Sequence, residues 1–302
     1  MLDAPTLQSP FARRSRTCAV FSVQLVIAAI LLHRFFSLPT SLALAIFLIA
    51  LAGAAIAILL SLGSLVAIWR DGRGGALNAT IGLFLGLALL AWPLGVMVIY
   101  RDVPAISDIT TDTITPPSFV ALAPERIGLA NPAAYPGAAV AKLQLAAYPD
   151  IRPVIVPRAV DDTWEVLGDT IKRLHWRVAG TTPPTAGQPG YIEAVDRTLI
   201  LGFSDDIIVR VIGNAEETRI DVRSASRYGK SDFGANAKRI RQLFGELKLR
   251  LEETVPGADR LRRRRGRGEK AVPKREKDSP VAQQSQKPSQ ARARRAPRRE
   301  QR

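Results

Sequence analysis

Residues 204–223 read SDDIIVRVIGNAEETRIDVR, and this stretch decides the fold of the C-terminal half of the chain. Two runs rich in β-branched residues, 207–212 and 218–223, are separated by turn residues that begin with Gly213-Asn214. Such a short separation predicts an antiparallel hairpin. In the second run, isoleucine and valine alternate with charged residues, which predicts one buried face and one polar face.

Further strands and two helices surround this hairpin. Runs at 176–179, 191–195 and 199–203 predict strands, and Ser204-Asp205-Asp206 predicts a turn before the hairpin. Apolar residues spaced three and four apart predict a helix on each side, one with Trp164, Leu167, Ile171 and Leu174 and one with Phe233, Ala237, Ile240, Phe244, Leu247 and Leu251. The order helix, antiparallel meander sheet, helix predicts an α+β two-layer domain over residues 158–256, with both helices on one face.

Three apolar runs precede this domain. They cover 17–36, 41–69 and 76–100, and each is long enough to cross a hydrocarbon core, which requires roughly 20 residues. Residues 17–100 are therefore predicted to form a transmembrane domain of three α-helices. Gly82 and Gly86 form a G-x-x-x-G step, which favours close packing either among these helices or between two chains.

The charges in the short loops predict the orientation of the helices. Arginines at 13, 14, 16, 70 and 73 flank one side, and arginines at 34 and 101 flank the other. Cytoplasmic loops collect such residues. Residues 1–16 are therefore expected in the cytoplasm, and everything after residue 100 in the periplasm. The predicted location is the bacterial inner membrane, in which the chain is a multi-pass protein with a periplasmic C-terminal domain.

Two segments of biased composition flank the α+β domain. Residues 101–157 are rich in proline, which disfavours long helices and central strands, so they predict an extended linker packed on the domain. Residues 257–302 contain few apolar residues, which predicts a disordered basic tail. From 260 to 302 the chain holds 17 of its 42 Lys and Arg residues and 4 of its 27 Asp and Glu residues, so most of the net charge of +15 belongs to this tail.

One polar stretch, residues 224–236, is a candidate binding site. It leaves a strand and enters a helix, and it holds glycines beside residues that can cap the helix. Because helix N-termini attract anions, the surrounding basic residues predict an anion-binding site. The alternative is a structural network in which nearby aspartates neutralise the same arginines. The predicted site residues are Arg223, Ser224, Ser226, Arg227, Lys230, Ser231, Asn236 and Arg239.

The same residues resemble a known family. Residues 205–211, 220–227 and 229–240, preceded by 108–112 and 116–119, resemble in their order the motifs of the bacterial domain of unknown function 1499 family. The resemblance covers roughly 103–253, about half of the chain, and leaves out the basic tail. It implies a domain that is often tied to membrane helices, and it implies no particular activity.

The sequence favours a binding module over an enzyme. One cysteine and two histidines exclude a disulfide framework and leave too few ligands for a Cys/His metal site, so no cofactor and no metal is predicted. The predicted partners are the lipid bilayer, an anionic lipid or envelope polymer bound by the tail, and a protein. One alternative is a membrane-anchored hydrolase that uses residues 224–236. Nucleic-acid binding by the tail is disfavoured, because it requires a cytoplasmic C-terminus.

Overall fold

A computed structural model describes residues 9–254 of the 302-residue chain. The predictions of a disordered basic tail and of its anionic partners fall on residues 257–302 and so lie outside the described residues.

The described part of the chain begins with three long helices. They are α1 (Pro10–Phe35), α2 (Thr40–Asp71) and α3 (Ala76–Ile99). All three are long and apolar enough to cross a membrane. The prediction of three N-terminal apolar helices is confirmed, and the chain is a membrane-embedded protein.

Small residues allow these helices to approach one another closely. Ala54 and Ala57 of α2 are fully buried. A Cβ atom placed on Gly82 of α3 would lie 2.7 Å from Ser15 Oγ, and one placed on Gly86 would lie 3.0 Å from Ala54 O. The G-x-x-x-G step therefore packs against helices of its own chain, which is the first of the two alternatives.

The region after the helices forms an antiparallel sheet with helices packed on it. Its elements in chain order, apart from one short 3₁₀ turn, are β1 (Asp108–Thr110), α4 (Ala138–Ala147), β2 (Val154–Val156), α5 (Val160–Arg173), β3 (Arg177–Thr182), β4 (Gly190–Arg197), β5 (Ser204–Gly213), β6 (Thr218–Ser226) and α6 (Ala235–Glu253). The strand order is β1-β6-β5-β4-β3, and β2 also pairs with β6. The predicted α+β fold class is confirmed.

Helices α5 and α6 cover one face of the sheet, and the main core lies beneath them. Leu167 and Ile171 of α5 pack there with residues of α6 such as Ile240. The sheet contributes alternate residues of its two longest strands, Ile207, Val209 and Val211 from β5 and Ile220 and Val222 from β6. Because side chains alternate along a strand, the residues between these point to the opposite face.

The opposite face is also covered, by the segment between the membrane helices and β2. Phe119 and Leu122 of this segment pack on Val195, Ile208 and Ala225 of the sheet. Both faces of the central strands are therefore buried, although the charged residues of β6 predicted a polar face.

The segment 101–157 has more structure than its prolines suggested. It packs on the domain, contributes β1 and β2 to the sheet, and contains α4. Helix α4 lies between Pro136 and Pro149, in a run free of proline that accommodates its 10 residues. The two strands are three residues each, which is short enough to fit between prolines.

The predicted strand at 199–203 is wrong. These residues form the loop at the tip of the β4–β5 hairpin, and Ser204-Asp205-Asp206, predicted as a turn, begins β5. The second half of the tip lies against the end of α1, where His33 Nδ1 donates to Leu201 O at 2.6 Å. The two aspartates enter the strand because buried arginines neutralise their charges.

Candidate functional site

The predicted site residues lie at the end of the sheet that faces the membrane helices. Strand β5 begins and strand β6 ends at this end of the sheet, and α6 starts beside it. Phe233, in the β6–α6 loop, stacks on Tyr100 at the end of α3, with ring centroids 5.3 Å apart. The polar stretch 224–236 is therefore part of the junction between the domain and the membrane helices.

Four of the predicted residues meet on the face covered by α5 and α6. Asn236 Oδ1 accepts hydrogen bonds of 2.7 Å from Ser224 Oγ and from Arg239 Nη1. Asn236 Nδ2 donates to Ser226 Oγ at 3.0 Å. Arg239 Nη2 donates to Asp205 Oδ2 at 2.7 Å. All five residues are buried, so the charge of Arg239 is neutralised inside the domain.

Arg223 lies on the opposite face of the sheet. Its Nε and Nη2 donate to the two carboxylate oxygens of Asp108 at 2.9 and 2.8 Å. It also donates to the carbonyl oxygens of Pro117 and Ala133, and its guanidinium lies 4.7 Å from the centre of the Phe119 ring. Arg223 is only 1% exposed. Its charge and donors are therefore used within the domain.

Arg227 shares a carboxylate with Arg126, which no sequence pattern marked as a site residue. Its Nη2 donates to Asp206 Oδ1 at 2.7 Å, and Arg126 Nε donates to Asp206 Oδ2 at 2.8 Å. Glu125 pairs with Arg227 Nη1 at 2.8 Å. Asp205 and Asp206 are adjacent in sequence, yet they neutralise arginines on opposite faces of the sheet, as the alternation of side chains requires.

The N-terminus of α6 is capped by a residue of the same loop. Asp232 accepts from the backbone N–H groups of Gly234 and Asn236, both at 2.8 Å. Burial raises the pKa of the Asp232 carboxyl, although these N–H donors oppose the rise. Of the two remaining predicted residues, Ser231 Oγ accepts from the Phe233 N–H at 3.3 Å and Lys230 is exposed.

These contacts are the ones expected if nearby aspartates neutralise the arginines in a structural network. The three predicted arginines and the first N–H groups of α6 have acceptors within the domain, and Ser224, Ser226 and Asn236 are buried beside one of them. Anion binding by the eight residues stays a prediction, for which Lys230 is the exposed cation.

Sequence reasoning missed a second buried carboxylate cluster. Asp112 Oδ2 accepts from Arg210 Nη2 at 2.9 Å and from Arg219 Nη2 at 3.2 Å. Burial raises the pKa of Asp112, but hydrogen bonds from Thr115, Ile114 and Arg210 outweigh it and lower the pKa to about 2. The arginines are 98 and 107 residues away in sequence, so no local pattern signals the cluster.

Two adjoining cavities occupy the junction. The smaller, of about 280 Å³, lies between the ends of the membrane helices, and the larger, of about 520 Å³, lies between these helices, the β4–β5 tip and the β6–α6 loop. The lining residues that the two cavities share are Leu44, Trp92, Leu201, Phe203 and Phe233.

The larger cavity combines apolar and polar walls. The membrane helices and the hairpin tip supply apolar side chains. The β5 start and the β6–α6 loop supply polar ones, namely Asp205, Ser226, Tyr228, Ser231 and Asp232. The two cavities together are mainly apolar, with a small number of polar groups on the domain side of the larger one, an arrangement that suits an amphipathic ligand.

The domain matches a described family. Residues 108–247 match a family model described as Protein of unknown function (DUF1499). Residues 108–247 form a domain of this family. The matched range contains all the sequence motifs that carried the resemblance. No curated protein and no solved structure matches the chain.

The matched residues separate the DUF1499 domain from the membrane helices. The match begins at the first residue of β1 and ends within α6, so the Asp108–Arg223 pair lies entirely inside the DUF1499 domain. Leu44 and Trp92, which line both junction cavities, lie outside the match. The cavities are thus formed jointly by the DUF1499 domain and the helices.

Proposed function

We propose that this membrane-embedded protein presents its DUF1499 domain on the periplasmic side of a bacterial inner membrane, where the domain and the helices bind an amphipathic envelope lipid. The observation that carries the proposal is the pair of adjoining cavities at the junction. Their volumes, 280 and 520 Å³, compare with about 300–1,000 Å³ for small-molecule sites.

The walls between the helices suit the hydrocarbon chain of such a lipid. Phe47, Val96 and Met97 line the smaller cavity beside Leu44 and Trp92. Leu44 and Trp92 are both about half exposed on the surface of the helices. A chain can therefore enter from the hydrocarbon core without crossing the polar domain.

The walls from the domain suit a polar headgroup. Tyr228 and Ser231 are partly exposed there and carry hydroxyl groups that can donate to phosphate or sugar oxygens. Lys230 lies between them in sequence and is exposed, but it lines a separate cavity with Asn131 and Ser226. Hydrogen bonds from hydroxyl groups therefore replace the arginines of the sequence-based hypothesis, because those arginines have internal partners.

The proposed orientation has a direct test in fusions to full-length protein. Alkaline phosphatase joined after residue 302 is expected to be active, because the loop arginines favour a cytoplasmic N-terminus and three crossings then place the domain outside. Green fluorescent protein at the same point, exported unfolded, is expected to remain dark. The opposite pattern at equal expression places the domain in the cytoplasm and contradicts the proposal.

Lipid binding is tested by filling the larger cavity from the domain side. Ala235 is the first residue of α6 and lines this cavity. The Ala235→Phe variant is expected to lose most of the lipid that co-purifies with the wild-type protein, at least a fivefold decrease, because the ring occupies the headgroup space. Native mass spectrometry of the protein released from detergent micelles measures the bound lipid and gives its mass.

The matched control is Ala138→Phe. Ala138 is the first residue of α4, it is exposed, and it also follows a glycine with positive φ. This variant is expected to keep the wild-type lipid. Equal lipid retention by the two variants contradicts the proposal. A protein that retains no lipid but captures a second protein at the junction favours the protein-partner alternative.

The hydrolase alternative depends on an activated hydroxyl in residues 224–236. Ser224 is fully buried and its Oγ donates to the amide oxygen of Asn236 rather than to a base. Arg239 also donates to Ser224 Oγ, at 3.2 Å, which stabilises the hydroxyl as an acceptor. These contacts hold the start of α6 against β6 and favour the binding function over a hydrolase that uses Ser224.

A further inference from the structure

The tip of the β4–β5 hairpin carries large apolar side chains on its surface. Residues 198–203 read TLILGF. Leu199 is 83% exposed and Ile200 is 67% exposed. Hairpin tips in water are normally built from Gly, Asn, Asp and Ser, so two adjacent exposed aliphatic residues require a different surrounding.

The tip lies against the end of a membrane helix. His33, two residues before the end of α1, donates through Nδ1 to Leu201 O at 2.6 Å. The His33 ring also packs on the Phe203 ring, with centroids 5.5 Å apart. Gly202 comes close to the backbone of Arg34, since a Cβ placed there would lie 3.3 Å from the Arg34 Cα. The hairpin is therefore fixed at the membrane boundary.

The tip also shares a cavity with the apolar flanks of α2 and α3. Leu199 and Ile200 line the same cavity as Leu44 and Trp92. Leu44 lies four residues after the start of α2, and Trp92 lies seven residues before the end of α3. At 1.5 Å per residue these positions are about 6 and 10 Å inside the helix ends. The exposed side chains thus share a cavity with apolar helix surface that begins about one to two turns inside the helix ends.

The backbone of the tip is suited to an apolar surrounding. The Thr198 N–H donates to Phe203 O at 2.9 Å, and the Gly202 N–H donates to Thr198 O at 3.0 Å. The Phe203 N–H donates to Thr198 Oγ1 at 2.9 Å. Hydrocarbon tolerates a loop only where its polar backbone groups have protein partners, and these bonds, with the one from His33, supply several of them.

We propose that the β4–β5 tip is embedded in the bilayer leaflet on the domain side, with Leu199 and Ile200 among the lipid acyl chains. The hairpin is then a membrane contact in addition to the three helices, and it fixes the height of the DUF1499 domain above the bilayer. The occupant of this surface is the phospholipid bilayer, because the tip is continuous with the lipid-facing ends of α1, α2 and α3. The proposal does not depend on a lipid bound in the junction cavities.

Depth-dependent quenching in the full-length chain tests this proposal. Cys18 is the single cysteine and is replaced in Cys18→Ser, after which Leu199→Cys carries a nitrobenzoxadiazole label. The protein is reconstituted in liposomes of phosphatidylethanolamine and phosphatidylglycerol that contain lipids brominated on the acyl chains. The label at 199 is expected to show blue-shifted emission and at least threefold stronger quenching than the control label.

The control is Ile155→Cys in the same background. Ile155 is an aliphatic residue of similar size, 64% exposed, on β2 at the opposite end of β6 from the junction. Equal quenching at 199 and 155 overturns the proposal, as does a label at 199 that becomes shielded only when another protein is added. Ile200→Cys provides a second position should Leu199→Cys fail to fold, and it is expected to be quenched in the same way.

The Ala235→Phe variant separates the bilayer from a cavity lipid as the cause of quenching. Quenching at 199 is expected to persist in this variant within about 20% of its original value, since the acyl chains of the bilayer remain in contact with the tip. Loss of quenching together with loss of the co-purified lipid overturns the bilayer proposal and leaves the cavity lipid as the neighbour of the tip.

Discussion

Arg223→Ala is expected to lower the free energy of unfolding of the DUF1499 domain by about 3–5 kcal/mol. The substitution leaves the carboxylate of Asp108, 5% exposed, without its bidentate partner. It also removes donors from the carbonyl groups of Pro117 and Ala133 and the cation stacked on Phe119. A buried charge without a partner is costly because protein interiors solvate ions poorly.

The matched control is Arg241→Ala. Arg241 also makes a bidentate pair, with Asp150 at 2.6 and 2.8 Å, but both side chains are about half exposed. Water screens such a pair, so its loss is expected to cost at most about 1 kcal/mol. Urea titration of the full-length protein in nanodiscs, followed by pulse proteolysis of the DUF1499 domain, measures both effects. If the Arg223→Ala protein is as stable as the Arg241→Ala protein, the buried Arg223–Asp108 pair does not stabilise the fold.

Anion binding by the same variants separates the two interpretations of residues 224–236. If Arg223 belongs to an open anion site, Arg223→Ala leaves stability nearly unchanged and abolishes binding of inorganic phosphate. The geometry instead predicts a large loss of stability. Arg227 is expected to behave in the same direction with a smaller effect, because Arg126 still pairs with the Asp206 carboxylate after the substitution.

Glu193→Ala is expected to destabilise the DUF1499 domain by about 3–5 kcal/mol. The Glu193 carboxylate, 5% exposed, accepts from the backbone N–H groups of Val120, Ala121 and Leu122, each at 2.9 Å. A hydrogen bond to a charged group contributes about 1.5–3 kcal/mol, and three such bonds are lost together, one of them from the N–H of the buried Leu122. This carboxylate therefore fastens the segment that covers the second face of the sheet.

Two further variants test whether the lost acceptor oxygens of Glu193 cause the destabilisation. Glu193→Gln keeps one acceptor oxygen and is expected to lose about half as much stability as Glu193→Ala. Glu125→Gln makes the same change at an exposed carboxylate, 40% exposed in its pair with Arg227, and is expected to cost at most about 1 kcal/mol. Hydrogen exchange at Val120–Leu122 measures the local effect. Unchanged protection of these amides in Glu193→Ala contradicts the assigned role.

The local parts of the fold could be predicted because they depend on neighbouring residues. Apolar runs long enough to cross the hydrocarbon core identify α1 to α3, and the spacing of apolar residues identifies α5 and α6. The β5–β6 hairpin follows from two β-branched runs and a short turn. The order of these elements suffices for the α+β class, since an amphipathic helix on each side of a meander must cover one face of it.

The errors occur where distant parts of the chain decide the environment. The second half of the run at 199–203 lies against the end of α1, yet in sequence the run is indistinguishable from a buried strand. Asp205 and Asp206 resemble turn residues, but arginines 34 and 80 positions away neutralise them inside β5. The charged residues that alternate with Ile220 and Val222 in β6 predicted an exposed face of the sheet. In the structure, Phe119 and Leu122 cover that face.

The sequence by itself determined that the chain has three membrane helices, an α+β domain of the DUF1499 family and a concentration of polar residues at 224–236. The tertiary structure alone decided which partners those polar residues have. An arginine in a sequence is equally suited to an anionic ligand or to an internal carboxylate. Arg223, Arg227 and Arg239 have internal carboxylates because the fold brings Asp108, Asp206 and Asp205 within 3 Å of them. The junction cavities have the same origin, since their walls come from α1, α2, α3, the β4–β5 tip and the β6–α6 loop, which meet only in the folded chain.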